Sequence, residues 1–342
     1  MSLGRSMTRR SRGLTGPLWI AAGVAVLVVA GRLSTGSLHP TGPPATSPPS
    51  SRLVAQLPVA ARVALPEGVV GVAVGADAVW AAHCSLSRVD PDTARVVAHV
   101  AGTGRSRADC VVDVAVGAGA VWGAVPGVGL VRVDPATSRV VARVPVGPMW
   151  APVAATDTGV WVVCCGGERG WADGMLVRVD PAANRVAARI RLGGRPTGVA
   201  AGPSGIWVAG HGRVWRIDPR TGRVAATIAV PDGLAAGGRV VVGRDAVWIG
   251  DWAGQQVLQI DPRRGRVVAR AAGVYALGVA VVGPDTWAMT SGGLVALGRD
   301  AGHRILVDGL VPSAVSDLAA GRDALWIAAR SGLFRIDAHR LR

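Results

Sequence analysis

Apolar and polar positions alternate in short runs along most of this chain, and turn-forming residues interrupt the runs at close intervals. The pattern is cleanest from Thr197 to Val230, which reads TGVAAGPSGIWVAGHGRVWRIDPRTGRVAATIAV. Runs rich in β-branched and aromatic residues lie around Val199, around Trp207 and from Val214 to Ile217, and a fourth covers Val224 to Ile228. Gly202-Pro203-Ser204-Gly205, His211-Gly212 and Asp218-Pro219-Arg220-Thr221-Gly222 separate them. Short strands joined by tight turns of this kind predict one four-stranded antiparallel meander.

The unit recurs. Trp80, Trp122, Trp161, Trp207, Trp248, Trp287 and Trp326 occupy its second strand and are separated by 42, 39, 46, 41, 39 and 39 residues. A period near forty with four strands per repeat predicts an all-β, seven-bladed propeller. An Asp-Pro turn follows at Asp90-Pro91, Asp134-Pro135, Asp180-Pro181, Asp218-Pro219 and Asp261-Pro262; it drifts to Arg299-Asp300 in the sixth repeat, and the seventh keeps Asp337 without the proline. Seven positions before each tryptophan stand Ala73, Ala115, Ala154, Ala200, Val241, Ala280 and Ala319, small enough for blades that converge on an axis. One position earlier stand Val72, Val114, Val153, Val199, Val240, Val279 and Leu318, which should fill the layers between blades. The fragment PVAARVALP, Pro58 to Pro66, reads as a fourth strand with no first three before it, while the chain ends just after a third strand, Gly332 to Ile336. The two ends therefore complete one blade, and pairing them removes an exposed sheet edge.

Half of the 342 residues are hydrophobic, enough for a large core. The 37 basic residues are all arginine and outweigh 22 acids, for a net charge of +15. Arg88, Arg132, Arg178, Arg216 and Arg335 sit two residues before the turn aspartate, so the charge should be spread around the rim of the ring. No recognition motif accompanies it, and nucleic acid is not expected as a partner. Ahead of the propeller, assigned to residues 52–342, come a basic cytoplasmic segment (1–12), an uncharged apolar span (13–31) and a Pro/Ser/Thr-rich linker (32–51). The span is long enough to cross a bilayer, and Arg5, Arg9, Arg10 and Arg12 before it predict a cytoplasmic N-terminus. The expectation is a monomer attached to the cell membrane with its propeller outside the cytoplasm; cleavage after Ala30, giving a secreted protein, is the alternative.

Nine positions before the tryptophans the pattern turns irregular: Gly71, Asp113, Pro152, Gly198, Arg239, Gly278 and Asp317. Here the innermost strand opens at the channel mouth. Asp113, Arg239 and Asp317 among small residues could orient a polar ligand or hold Ca²⁺ or Mg²⁺, with Asp113 and Asp317 as its ligands. Equally, they could solvate a water-filled mouth. Glu67 joins them from the preceding loop, and loops on the same face carry His83, His211, Asp251, Trp252 and Gln255. The longest insertion, Cys164 to Met175, holds Glu168, Arg169, Trp171 and Asp173 and could form a lid. Four cysteines outside the cytoplasm suggest disulfides: Cys84 with Cys110 on neighbouring blades, leaving Cys164 and Cys165 as a vicinal pair or as thiols.

The repeat G-V-A-x-G-x-x-x-[IV]-W-V-A, followed by R-[VI]-D-P-x-T-x-R-V, resembles the bacterial YVTN-type and streptogramin-lyase-like seven-bladed propellers. Lyases of that group are expected to use a histidine with acidic metal-binding neighbours, whereas His83 and His211 stand on different blades. The reading is therefore a binding module without a cofactor, which takes a protein or small ligand on its mouth face. Its rival is a metal-dependent lyase or lactonase of the streptogramin-lyase-like or gluconolactonase-like type, using Glu67, Asp113 and Asp317. No catalytic residue can be named.

Overall fold

The four-run pattern folds as its alternation requires. Strands are numbered β1 to β28 along the chain; β14 (Pro196–Gly202), β15 (Gly205–Gly210), β16 (Arg213–Ile217) and β17 (Val224–Ala229) pair in sequence as one antiparallel sheet. The structure, a computed structural model, describes residues 59–65, 67–103, 109–164, 174–230, 233–234, 238–290, 293–298, 303–305 and 315–341. Among these, seven four-stranded sheets form. Their first strands are β2 (Gly71–Gly75), β6 (Asp113–Gly117), β10 (Met149–Thr156), β14, β18 (Gly238–Val242), β22 (Gly278–Val282) and β26 (Val315–Ala320). They touch in that order, and β26 touches β2, so the sheets close a ring.

The two chain ends meet as predicted. β1 (Val59–Val63) is the outer strand of the seventh sheet, antiparallel to β28 (Gly332–Asp337), with Arg62 opposite Phe334 and Val63 opposite Leu333. The Arg62 guanidinium lies 5.5 Å from the centroid of the Phe334 ring. A 3-10 turn, Ala338–Leu341, then buries Leu341 under the sixth and seventh blades, a closure the sequence pattern did not announce.

The core is divided between the blades. Each of the seven hydrophobic clusters draws on two adjacent sheets. Every repeat tryptophan packs against the blade that follows its own, Trp80 against the second and Trp326 against the first, and all seven are buried. The row Val72 to Leu318 is likewise buried in these layers.

The Asp-Pro turns have a common build. The aspartate Oδ1 accepts two backbone amides ahead of it, as Asp90 does from Asp92 (3.1 Å) and Thr93 (2.7 Å) and Asp180 from Ala182 (2.9 Å) and Ala183 (3.1 Å). A bulge follows, because the outer strand carries one residue more than its partner between Arg88 and Val89, Arg132 and Val133, and Gln259 and Ile260. The extra residues are Val97, Val141 and Val268, which lie on the exposed face of their strands.

The repeat arginines do something other than coat the rim. They are half-buried between blades. Arg132 stacks over Trp122, 5.6 Å from its centroid, and donates to the Pro181 carbonyl at 2.8 Å in the next blade. Arg216 stacks over Trp207 and reaches the Pro262 carbonyl at 3.2 Å; Arg335 reaches the Pro91 carbonyl at 2.8 Å across the closure. The planar guanidinium serves both contacts at once, which an ammonium cannot. Arg132 and Arg216 thus each tie their own tryptophan to the next Asp-Pro turn.

Among the described residues no helix is long and apolar enough to cross a membrane. The expected span at 13–31 and the linker at 32–51 lie outside the described residues.

Candidate functional site at the channel mouth

Three charged side chains from distant repeats converge at the mouth. Asp113 opens β6 in the second blade, Arg239 lies in β18 of the fifth, and Asp317 lies in β26 of the seventh beside a bulge between Val315 and Asp317. Arg239 stands between the acids, with Nη1 3.4 Å from Asp113 Oδ1 and Nη2 3.2 Å from Asp317 Oδ2. Backbone amides engage both carboxylates as well. Asp113 Oδ2 accepts the Val153 amide at 2.9 Å from the third blade. Asp317 Oδ2 accepts the Val72 amide at 3.0 Å from the first blade, and Oδ1 accepts the Leu318 amide at 2.8 Å. One ionic cluster thus joins five blades.

Small neighbours make room for it. A Cβ built on Gly71 would come within 3.1 Å of Asp113 Oδ1, and one on Gly198 would overlap the Gly238 carbonyl oxygen. Both acids are buried, while the Arg239 side chain is 32% exposed and is the part of the cluster that solvent reaches. Burial raises the pKa of Asp317 to about 6; Arg239 works against this, and the nearby Asp113 charge adds to it. Burial also raises Asp113, with Arg239 and the Val153 amide opposing. For Arg239, burial acts against the charge, but Asp317 and Asp113 prevail and hold the guanidinium charged.

The arrangement does not fit a divalent cation. A hard metal would need the oxygens that Arg239 and three amides already occupy, and it would have to displace a cation from the centre. Among the described residues no three His, Cys, Asp or Glu groups gather as a metal set.

The other candidates stand apart from this cluster. Glu67 Oε2 lies 3.0 Å from His83 Nδ1, on the segment between β1 and β2. His211 occupies the β15–β16 turn, where its amide donates to the Arg195 carbonyl at 3.2 Å. Trp252 is exposed and meets Tyr275 edge to face, with ring centroids 6.1 Å apart. Asp251 is buried and accepts the Gln256 amide at 3.0 Å. Cys84 and Cys110 form the expected disulfide between the first and second blades. Cys164 is buried beside the Val146 carbonyl, while Cys165 and the insertion bearing Glu168, Arg169, Trp171 and Asp173 lie outside the described residues.

Residue reading passed over two features: the arginine ties between blades, and a polar chain in the first blade through Ser87 and His99. Aligning all seven repeats at the third strand would have shown the second, since Ser87 stands where the others carry Val131, Val177, Trp215, Leu258, Val295 and Phe334.

Comparison with known proteins bears on the fold. No family model and no curated protein matches the chain. Among solved structures, virginiamycin B lyase from Staphylococcus aureus superposes with a TM-score of 0.65 at 14% identity, covering 79% of this chain and 94% of that one. The chain has the streptogramin-lyase-like seven-bladed fold. A chain of a mitotic checkpoint complex gives a TM-score of 0.69 at 13% identity, covering 90% and 100%. BamB from Moraxella catarrhalis gives 0.53 at 14% identity, covering 78% and 82%. At such identities the likeness is one of fold, and function must be argued from the site.

Proposed function

We propose that this propeller is a non-enzymatic binding module that takes a protein or small-ligand partner on its mouth face, outside the cytoplasm, with residues 13–31 as its membrane anchor. One observation carries the reading: Arg239 stands between Asp113 and Asp317, so the acids at the channel mouth are already engaged. They make a fixed floor, not a reactive centre with open coordination positions. Above it the mouth face offers Trp252 and Tyr275, an aromatic pair of the kind enriched at protein interfaces. Superposable solved chains include a member of a checkpoint complex, an assembly of proteins, which agrees with such a use of the fold.

The alternative, a metal-dependent lyase or lactonase, requires Arg239 to leave the cluster so that Asp113 and Asp317 can face a cation. Calorimetric titration of the full-length protein with Ca²⁺ and Mg²⁺ separates the two. The module reading expects no stoichiometric uptake. Binding of one ion per chain, lost in Asp113→Ala, would sink it.

A further inference from the structure

The first blade departs from its six siblings at three linked positions, and the siblings show what the scaffold requires there. Where other blades bury an apolar third-strand residue, this one has Ser87, fully buried. Opposite Ser87 on β5 (Val96–Val100) stands His99, where the second, third and fifth blades have Arg143, Arg189 and Arg270. Three residues past the tryptophan stands His83, where the second, third, fourth and seventh have Val125, Cys164, Gly210 and Ala329 and the fifth and sixth have Asp251 and Thr290. A lone hydroxyl in that layer would be left unsatisfied, at a cost in stability. Here it is satisfied from both sides, with His83 Nε2 2.7 Å and His99 Nδ1 2.9 Å from Ser87 Oγ. The chain His99–Ser87–His83–Glu67 runs from the exposed outer strand, through the blade interior, to the segment that links the closing strand β1 to β2.

The proton inventory fixes its direction. The Glu67 carboxylate only accepts, so His83 Nδ1 carries a proton toward it. The Ser85 amide is aimed at the same nitrogen from 3.2 Å and loses it as an acceptor once Nδ1 is protonated. The charge-assisted contact to Glu67 is the stronger, and the Ser85 hydroxyl 3.4 Å away can accept from Nδ1–H as well. Neutral His83 then accepts the Ser87 hydroxyl proton on Nε2, and Ser87 accepts from His99 Nδ1–H. When one proton is added, a second arrangement satisfies every group equally well. His83 becomes imidazolium and donates from Nε2 to Ser87, Ser87 turns its hydroxyl to His99 Nδ1, and His99 keeps its proton on the solvent-facing Nε2. The proton enters at His99 Nε2, each bond in the chain reverses, and the charge appears at His83 beside Glu67.

We infer that this chain is a proton-driven latch on the closure of the ring: acidification converts the Glu67–His83 hydrogen bond into an ion pair and tightens the 67–70 segment against the first blade. That segment is the seam, since its Val69 amide donates to Ala329 of the seventh blade at 3.0 Å and its Val70 amide to Ala82 of the first at 2.9 Å. Glu67 is the charged group facing His83 from the seam, Ser85 and Ser87 face it from its own loop and from β4 (Leu86–Val89), and His99 stands behind Ser87 on β5. On the remaining side the Val111 amide bonds the His83 carbonyl, and Asp109 precedes it in the chain.

The test is nitrogen NMR of the full-length protein labelled on its histidine rings, followed from about pH 8 to about pH 5, the range of imidazole titration. Resonances are assigned with His83→Gln and His99→Arg. The latch expects both rings as Nδ1–H tautomers at the alkaline end, then doubly protonated His83 together with conversion of His99 to the Nε2–H form. Ser87→Val, the residue type of the second and third blades, should uncouple the rings. Exchange of the Val69 amide, corrected for its intrinsic pH dependence, should slow roughly twofold to fivefold on acidification, and Glu67→Gln should abolish the change. An Nε2–H tautomer of His99 at alkaline pH, or unaltered titration in Ser87→Val, overturns the proposal even if the mouth binds its partner as described above.

Discussion

At Ala94 the backbone lies at φ 53°, in the left-handed region that an alanine side chain disfavours by roughly 1–2 kcal/mol. The same turn position is Gly222 (φ 68°) in the fourth blade and Gly265 (φ 62°) in the fifth. Ala94 is held there because Asp90 Oδ1 accepts the Asp92 and Thr93 amides and fixes the path ahead of it. Glycine relieves the strain but gains freedom in the unfolded chain, which offsets about 0.4–1 kcal/mol. Ala94→Gly should therefore stabilise the protein by about 0.5–1 kcal/mol in urea titrations, a gain that contact counting on the side chain would not anticipate. A destabilised variant would show that packing of the Ala94 methyl against the layer shared by the first and seventh blades outweighs the relieved strain.

At the level of the strand, β1 carries a disproportionate share of the closure. It supplies the outer strand of the seventh sheet, pairs with β28 around a bulge between Val59 and Ala61, and sends Val63 into the layer shared by the seventh and first blades, where Leu65 just beyond it is also buried. Its loss uncovers Leu333 and leaves an unpaired edge that no later segment of the described chain covers. Deleting 59–63 should lower the midpoint of thermal unfolding by 10 °C or more, on the order expected when several kcal/mol are removed from a cooperative domain. An unchanged midpoint would mean that the ring does not depend on its seam.

For the whole ring, the axial cluster and the turn aspartates respond to pH in opposite senses. Asp317 titrates near 6 in the folded protein against 3.8 for the free side chain, so between those values the native state binds a proton that the unfolded chain lacks. Stability from this group therefore rises as pH falls from about 6 toward about 4. Asp90, Asp134, Asp180, Asp218 and Asp261 are held below the usual carboxylate range, chiefly by backbone amides. Their contribution is present above about 4 and is lost as pH falls further. Thermal midpoints across pH, taken in a Glu67→Gln background to silence the histidine latch, should peak between these two windows. Asp317→Asn should diminish the rise between 6 and 4, Asp113→Asn together with it should remove the rise, and both should leave the acid limb intact; a rise that survives the double substitution would assign the effect elsewhere.

The sequence alone determined the repeat, the number of blades, the tryptophan layer, the Asp-Pro turns and the joining of the two ends, because each is a local pattern copied seven times or a visible remainder of one. It also singled out Asp113, Arg239 and Asp317 as the irregular members of an otherwise small-residue ring. Only the tertiary structure decided what they do: Arg239 reaches acids 126 and 78 residues away, a pairing that depends on channel width and strand bulges, not on spacing along the chain. The same holds for Arg132, whose charge reads as rim decoration until the next blade is in place to accept it. Ser87 and His99 lay in plain sight as departures from the repeat, yet their link to Glu67 exists only once a turn, a strand pair and the closing segment meet in space.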